Sequence, residues 1–289
     1  MSVFQTLRRQ SVSFVLASFT GLVPLSVSLS VDFLHPIPAL AQTTDTSTEQ
    51  PSDTTSDQTS EPAPDALVQV IEGLNRAAND QDIDAVMAFY GSEFMNSDGL
   101  NHEALEEGLV QFWQRCTTLE YQTNLKSWKQ EGAAIVAVTE TQIFATEKLD
   151  GRELALSAVI TSEQRVENGK IVQQQILMEE TQFRSGEEPP TVTFDLPKTV
   201  GTEAKFDIDV VIQEPLNRDL LLGTVVEEPV RPRGYFVSAP FQLEQLSAGG
   251  LFKLGEAPST PQTNWVSAIL IRPGGMTAVT RRLQVVEEN

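Results

Sequence analysis

The strongest constraint on the fold is a single change of hydrophobic period between residues 66 and 184. Apolar residues first recur at helical spacing in three short segments, around 67–78, 83–90 and 101–113. From about Leu119 the period becomes two, in four segments separated by Gln-Glu-Gly, Asp-Gly and Asn-Gly, which are typical hairpin sequences. Three helices followed by four antiparallel strands predict an α+β unit whose helices cover one face of a curved sheet.

A second folded unit is predicted for residues 187–289, where the helical period is absent. Short alternating segments such as AKFDIDVVI and NWVSAILI follow one another, and proline and glycine interrupt them at EPLN, RPRG and RPGG. About seven short strands in roughly one hundred residues predict an all-β sandwich that resembles immunoglobulin-like domains, without their disulfide. The first unit is accordingly assigned to residues 66–186, and the short boundary would allow the two units to pack together.

The first 41 residues have the pattern of an export signal. Arg8 and Arg9 precede an apolar stretch, and an Ala-Leu-Ala sequence ending at residue 41 fits a cleavage site. Because the apolar stretch is long, an uncleaved membrane anchor is the alternative. Residues 42–65 contain mainly Thr, Ser, Asp, Glu, Gln and Pro, which predicts a disordered linker. We therefore expect an exported protein of the periplasm, the extracellular space or another lumen, with no membrane span after cleavage.

The charge and the residue counts exclude several kinds of partner and site. Removal of the signal leaves 18 basic and 39 acidic residues, a net charge of 18 − 39 = −21. A field of this sign repels phosphate backbones and anionic lipids, so nucleic acid is not an expected partner. Cys116 is the only cysteine, and His102 is the only histidine after the signal. An intramolecular disulfide and histidine-rich metal sites are thereby excluded, and we expect neither a metal nor a cofactor.

The first unit resembles the nuclear transport factor 2-like superfamily, which includes the SnoaL-like proteins and has a cystatin-like α+β fold. The stretch LVQVIEGLNRAANDQDIDAVMAFYGSEF looks like its opening, with a helix, a polar break and a second helix that ends in Phe-Tyr. The resemblance covers about residues 66–184. The superfamily includes ketosteroid isomerase, polyketide cyclases and dehydratases, together with many non-catalytic pocket or dimerisation domains, so the resemblance specifies fold better than activity.

One aspartate would carry an enzymatic activity of the ketosteroid isomerase type. Alignment with that enzyme places Asp98 at its carboxylate base, and His102, four residues later, could relay a proton. The same alignment puts Leu74 where that enzyme has the tyrosine of its oxyanion hole, and nothing in the sequence puts Tyr90 or Tyr121 there instead. In the alternative interpretation Asp98 is a turn residue before a helix, and His102 is a solvated surface residue.

The expected ligand pocket of the first unit is apolar and aromatic. Its predicted lining is Leu74, Tyr90, Phe112, Trp113, Tyr121 and Phe144. Among charged residues outside this pocket, the Glu179-Glu180 pair is expected to be solvated. The Arg281-Arg282 pair is expected to form internal ion pairs or, alternatively, a small docking patch.

The sequence therefore predicts an exported, non-catalytic protein. Its first unit would bind a small apolar ligand or a protein partner and could form a homodimer through its sheet. The alternative is a cofactor-free isomerase, cyclase or dehydratase that uses Asp98 as general base, and a third option is a structural envelope protein.

Overall fold

The computed structural model describes residues 62–149, 151–217, 219–237, 240–246 and 248–287. The predicted signal peptide and the predicted linker up to residue 61 lie outside these ranges. Among the described residues, one 3-10 helix, Pro232–Tyr235, accompanies three α-helices. The α-helices are α1 Asp65–Asn79, α2 Ile83–Met87 and α3 His102–Arg115. In the described part of the chain, no helix has the length and apolar character needed to cross a membrane.

Side-chain caps begin two of these helices. The Asn101 side chain accepts a hydrogen bond from the backbone N–H of Ala104 at 2.9 Å, so α3 starts at the N-cap that its sequence suggests. Asp82 caps α2 in the same way, through the N–H of Ala85 at 3.0 Å. At the other end of α1, the Asn79 side chain bonds both the N–H and the carbonyl of Tyr121, at 2.8 and 2.9 Å. These bonds fix α1 against the strand that contains Tyr121.

Strands dominate the rest of the first unit, and four of them form long antiparallel hairpins. The strands are β1 Tyr90–Asn96, β2 Cys116–Glu131, β3 Ala134–Leu149, β4 Arg152–Glu167 and β5 Lys170–Gly186. In the turn between β4 and β5, Asn168 and Gly169 have φ angles of 50° and 72°, the left-handed conformation that a two-residue hairpin favours. The sequence did not predict β1, which follows α2 directly and pairs in parallel with β5.

Within the described ranges, eight shorter strands make up the second unit. They are β6 Val192–Asp195, β7 Thr199–Gly201, β8 Lys205–Ile212, β9 Leu221–Pro229, β10 Glu244–Leu246, β11 Gly250–Glu256, β12 Gln262–Arg272 and β13 Gly275–Val286. Three of them form a separate sheet in the order β11-β8-β6. The remaining five belong to the same sheet as the strands of the first unit.

One sheet therefore runs through both units, in the order β10-β9-β12-β13-β5-β4-β3-β2. The junction is the antiparallel pairing of β13 with β5, from Gly275 opposite Gly186 to Arg281 opposite Glu180. β4 pairs with one edge of β5, and β13 pairs with the opposite edge. The sequence suggests two units that could pack across a short boundary, whereas the structure connects them by backbone hydrogen bonds.

Two of the hydrophobic cores show how the units are joined. One core lies between the three-stranded sheet and the shared sheet, and includes Ile208, Val210, Val266 and Leu283. The C-terminal strands thus form two layers, one of which belongs to the shared sheet, and an immunoglobulin-like strand order stays a prediction.

The other core lies between the helices and the shared sheet and contains side chains of both units. Its largest members are Phe112, Trp113, Tyr121, Phe183, Tyr235 and Trp265.

Candidate functional site

A cavity of about 190 Å³ lies between the helices and one face of strands β2 to β5. Most of its lining is apolar, with contributions from α1, α2, α3 and the four strands. Five of the six residues that the sequence predicts for the pocket line it. They are Leu74, Tyr90, Phe112, Trp113 and Tyr121.

Phe144, the sixth residue predicted for the pocket, does not line the cavity. Its side chain is 44% exposed, whereas its neighbours Ile143 and Ala145 on β3 are buried. Successive side chains of a strand point to opposite faces, so the register that turns Ile143 inward turns Phe144 outward. The sequence prediction failed here because it identified the strand without fixing its register.

The second unit completes the wall of the cavity. Tyr235 and Phe236, at the end of the 3-10 helix, line it together with Arg282 of β13. Tyr235 packs edge-on against Trp265 of β12, with ring centroids 5.0 Å apart. The cavity is therefore a joint product of the two units.

Asp98 lies in the turn between β1 and α3 and is not among the residues that line the cavity. The Asn96 side chain accepts hydrogen bonds from the N–H groups of Asp98 and Leu100, at 3.0 and 2.8 Å. Gly99 follows with a φ of 85°, a conformation that glycine adopts without strain. The Asp-Gly pair thus forms a turn before a helix, while Asn101 provides the helix cap.

The Asp98 carboxylate is paired with Arg282. Arg282 Nη1 donates to Oδ1 at 2.9 Å and Nη2 donates to Oδ2 at 2.5 Å, and both side chains are 3% exposed. The Tyr235 hydroxyl also donates to Oδ2, and the Ser97 hydroxyl donates to Oδ1 at 3.2 Å. Burial alone would raise the pKa of Asp98, but these hydrogen bonds and the charge of Arg282 outweigh it and hold that pKa below its ordinary value.

His102, the other residue proposed for proton transfer, is the first residue of α3 and is half-buried. The side chain of His102 is not among the described partners of the Asp98 carboxylate, which are Arg282, Tyr235 and Ser97. Tyr90 and Tyr121, the tyrosines considered for an oxyanion hole, do not form one beside Asp98. The Tyr121 hydroxyl accepts a hydrogen bond from Trp113 Nε1 at 3.0 Å, and the hydroxyl that reaches Asp98 is that of Tyr235. Burial raises the pKa of Tyr90 to about 12.

Among the described residues that line the cavity, Glu179 provides a carboxylate. Its Oε2 accepts hydrogen bonds from Arg282 Nε at 2.7 Å and from Trp265 Nε1 at 3.1 Å. Its Oε1 is buried and has no hydrogen-bond partner among the described residues. The expectation that Glu179 is solvated was wrong, since it is 3% exposed, whereas Glu180 forms an ion pair with Arg281 at 2.8 Å.

Arg282 is the centre of a buried charge cluster that also contains Asp98, Glu179, Tyr235 and Trp265. Burial would lower the pKa of Arg282, but the charges of Glu179 and Asp98 raise it above its ordinary value. Burial raises the pKa of Tyr235 well above its ordinary value. With one cation between two carboxylates, the cluster carries a formal charge of −1 at neutral pH. Arg281 and Arg282 thus both form ion pairs, as one of the two expectations had it, and they do so on opposite faces of the sheet.

Sequence reasoning missed Glu179 because β5 departs from strict alternation. Opposite β4, Met178 pairs with Thr161 and Ile176 pairs with Ser162, so Leu177 is an extra residue in the strand. This bulge places Ile176 and Glu179 on the same face of the sheet, where both line the cavity. Within the described residues, no group of three His, Cys, Asp or Glu side chains is arranged to hold a metal ion.

A protein family matches part of the chain. Residues 187–286 match the profile of a family described as "Domain of unknown function (DUF8623)". The match covers the second unit, in which Tyr235, Trp265 and Arg282 lie. No sequence of a curated protein matches the chain.

Solved structures similar to the chain share about two fifths of its length. They include Bd1075 of Bdellovibrio bacteriovorus, at 15% identity and a TM-score of 0.30, with 39% of each chain covered. A cystatin fold protein of Novosphingobium aromaticivorans is 16% identical over 38% of this chain and 95% of that chain, with a TM-score of 0.30.

A protein of Shewanella putrefaciens described as a SnoaL-like polyketide cyclase is 13% identical, over 40% of this chain and 90% of that chain, with a TM-score of 0.31. The present chain spans 39% of the length of the Bdellovibrio protein and most of the length of the other two. The descriptions of the last two proteins, cystatin fold and SnoaL-like, name the fold group that the sequence suggests for the first unit.

Proposed function

We propose that the protein is an exported, non-catalytic binding protein that holds a small, largely apolar molecule in the cavity of its first unit. In this proposal the three helices and the sheet form a nuclear transport factor 2-like cone around the ligand. The observation that carries the proposal is the cavity of about 190 Å³ with its apolar and aromatic lining. A dry apolar cavity of about 150 Å³ can bind benzene, so this volume suits one ring with short substituents.

The second unit would contribute to binding as well as to stability. Tyr235, Phe236 and Arg282 line the cavity, so removal of the second unit would open its wall. Export by the N-terminal signal and dimerisation through the sheet of the first unit are part of the proposal. In the main variation of this proposal, the first unit binds a protein partner in place of a small ligand.

The environment of Asp98 supports a binding function over the isomerase, cyclase or dehydratase alternative. A general base needs an accessible lone pair and a pKa near the working pH. Asp98 instead uses both oxygens to bind Arg282, with further donors from Tyr235 and Ser97. Its pKa is lowered, which makes it a weaker base than an ordinary aspartate. We therefore assign Asp98 to joining the two units.

Native mass spectrometry of the protein purified from its own source tests the proposal. We expect one small molecule retained per chain. If purification has emptied the cavity, we expect added toluene to bind and to change the fluorescence of Trp113, which lines the cavity. Ala104 also lines the cavity, so Ala104→Phe should fill it and abolish both signals.

Gln114→Phe is the matched control, because Gln114 is an exposed residue of the same helix. This variant should bind as the original protein does. A protein that retains no molecule and does not respond to toluene would contradict the proposed function. Turnover of a retained molecule that is lost in Asp98→Asn would instead support the enzymatic alternative.

A further inference from the structure

One residue of the cavity wall, Glu179, has a buried carboxylate oxygen that lacks a partner. Glu179 is 3% exposed, its Oε2 binds Arg282 and Trp265, and its Oε1 has no hydrogen-bond partner among the described residues. A buried polar atom without a partner is unfavourable, and a charged one more so. The site is therefore incomplete unless a donor binds there.

Other polar groups of the cavity wall have hydrogen-bond partners, whereas Glu179 Oε1 has none among the described residues. Asn75 accepts the N–H of Thr123 at 3.2 Å, and Gln174 donates to Ser162 at 3.2 Å. All three nitrogens of the Arg282 guanidinium donate to Asp98, Glu179 or Tyr235. In the described part of the cavity lining, Glu179 Oε1 is the buried side-chain atom without a partner. A ligand that donates a hydrogen bond would therefore satisfy the unpartnered acceptor in the wall.

The charge at this position favours a cationic donor over a neutral one. Glu179 and Arg282 are the charged residues among the described lining, and Asp98 lies directly behind Arg282. Because Arg282 compensates only one of the two carboxylates, one negative charge is left over next to the cavity. Phe112, Trp113 and other aromatic rings line the same space, and aromatic ring faces attract cations.

We propose that the ligand is a small primary amine in its protonated form, with an apolar body about the size of one ring. This proposal rests on the proposed function and names the chemistry of the ligand. The ammonium group donates to Glu179 Oε1, and the apolar body occupies the space between the helices and the sheet. The ligand neutralises the charge cluster, and a bound water molecule, which supplies a donor without charge, is the competing occupant.

Three probes of nearly equal shape test the proposal on the purified protein at neutral pH. They are toluene, benzyl alcohol and benzylamine, which place a methyl group, a neutral donor and a cationic donor at the same position. Binding is measured by calorimetry and by tryptophan fluorescence. We expect benzylamine to bind at least about tenfold more tightly than benzyl alcohol, since a charged hydrogen bond inside a protein is stronger than a neutral one.

Glu179→Gln should remove this preference, because glutamine keeps the shape of the side chain without its charge. Glu180→Gln is the matched control on the next residue of β5, whose side chain pairs with Arg281 instead. This control should leave the ratio of the two affinities unchanged.

Equal binding of the alcohol and the amine, or an amine preference that survives in Glu179→Gln, would overturn the proposal and leave the cavity as a binding site. If toluene binds more tightly than the other two probes, the proposed amine ligand is likewise wrong and the cavity remains a binding site. If none of the three probes binds to protein that retains no molecule of its own, the proposed function fails together with the ligand assignment. The comparison of probes on the unmodified protein requires no variant, so it stands even if Glu179→Gln does not fold.

Discussion

Two buried contacts between arginine and carboxylate differ in a way that explains the candidate site. Asp98 and Glu147 are both buried, with 8% of each whole residue and 3% and 11% of their side chains exposed. Asp98 receives two hydrogen bonds from Arg282 and one each from Tyr235 and Ser97. Among the described residues, the Glu147 carboxylate receives a single hydrogen bond, from Arg115 Nε at 3.3 Å. The two sites thus differ more in the number of hydrogen-bond donors than in burial.

The pKa values of the two carboxyls shift in opposite directions as a result. Burial raises the pKa of both, but only at Asp98 do the donors and the arginine charge reverse the shift. At Glu147 the pKa stays above its ordinary value, and Arg115 Nη1 is buried without a partner among the described residues. Burial and the neighbouring Glu147 also raise the pKa of the Cys116 thiol to about 12. Donors, rather than burial, decide which carboxylate is stabilised in its charged form.

Loss of Arg282 should have the largest effect on stability. Arg282→Met leaves Asp98 and Glu179 buried without their cation, and we expect the free energy of unfolding to fall by about 3–5 kcal/mol. Urea denaturation measures this loss. Arg281→Met is the control, because Arg281 pairs with the more exposed Glu180, and it should cost about 1 kcal/mol or less. Equal losses in the two variants would contradict the central position of Arg282.

Asp98→Asn should have a smaller effect, since Arg282 keeps its bond to Glu179. We expect a loss of about 1.5–3 kcal/mol at neutral pH, the range for hydrogen bonds to charged groups. The pKa of Asp98 is lower in the folded protein than the ordinary value of 3.8, so its stabilising contribution is complete above 3.8 and disappears as the pH falls through the folded value. The difference in unfolding free energy between the original protein and Asp98→Asn should therefore shrink on acidification. A difference that stays constant below pH 3.8 would contradict this assignment.

Glu147→Gln should have the smallest effect and the opposite dependence on pH. The folded pKa of Glu147 is raised above 4.5, so its charged form destabilises the folded protein at neutral pH. We expect the variant to match the original protein within about 1 kcal/mol at neutral pH. As the pH falls towards 4.5, the original protein should gain stability relative to the variant. Titration of both proteins by chemical denaturation checks the sign, and a gain on raising the pH would contradict it.

Local sequence signals predicted much of the first unit. The helical spacing and Asn101 located α3, and the Asn-Gly sequence located a hairpin turn whose dihedral angles the structure shows. The aromatic face of α3 indicated Phe112 and Trp113 as pocket residues, and both line the cavity. These features are determined by residues within a few positions of each other, so the sequence alone could predict them.

The buried charge cluster could not be predicted in the same way. Asp98 and Arg282 are 184 residues apart, and their contact depends on the pairing of β13 with β5. Glu179 reaches the cavity only because the bulge at Leu177 shifts the alternation of β5. Asp98 was identified from the sequence, but its partners were not, because no local pattern specifies which strand of the second unit lies next to the first.

The opposite orientations of Arg281 and Arg282 also bear on how the chain folds correctly. If β13 slipped by one residue during folding, every side chain of the strand would change faces. A slip that brings Leu283 to the place of Arg282 would leave Asp98 and Glu179 buried without a cation. That error would be penalised by charge as well as by lost apolar packing. The opposite slip would bring Arg281 to the same place, so the buried charges select against one of the two misalignments of the strand that joins the two halves of the molecule.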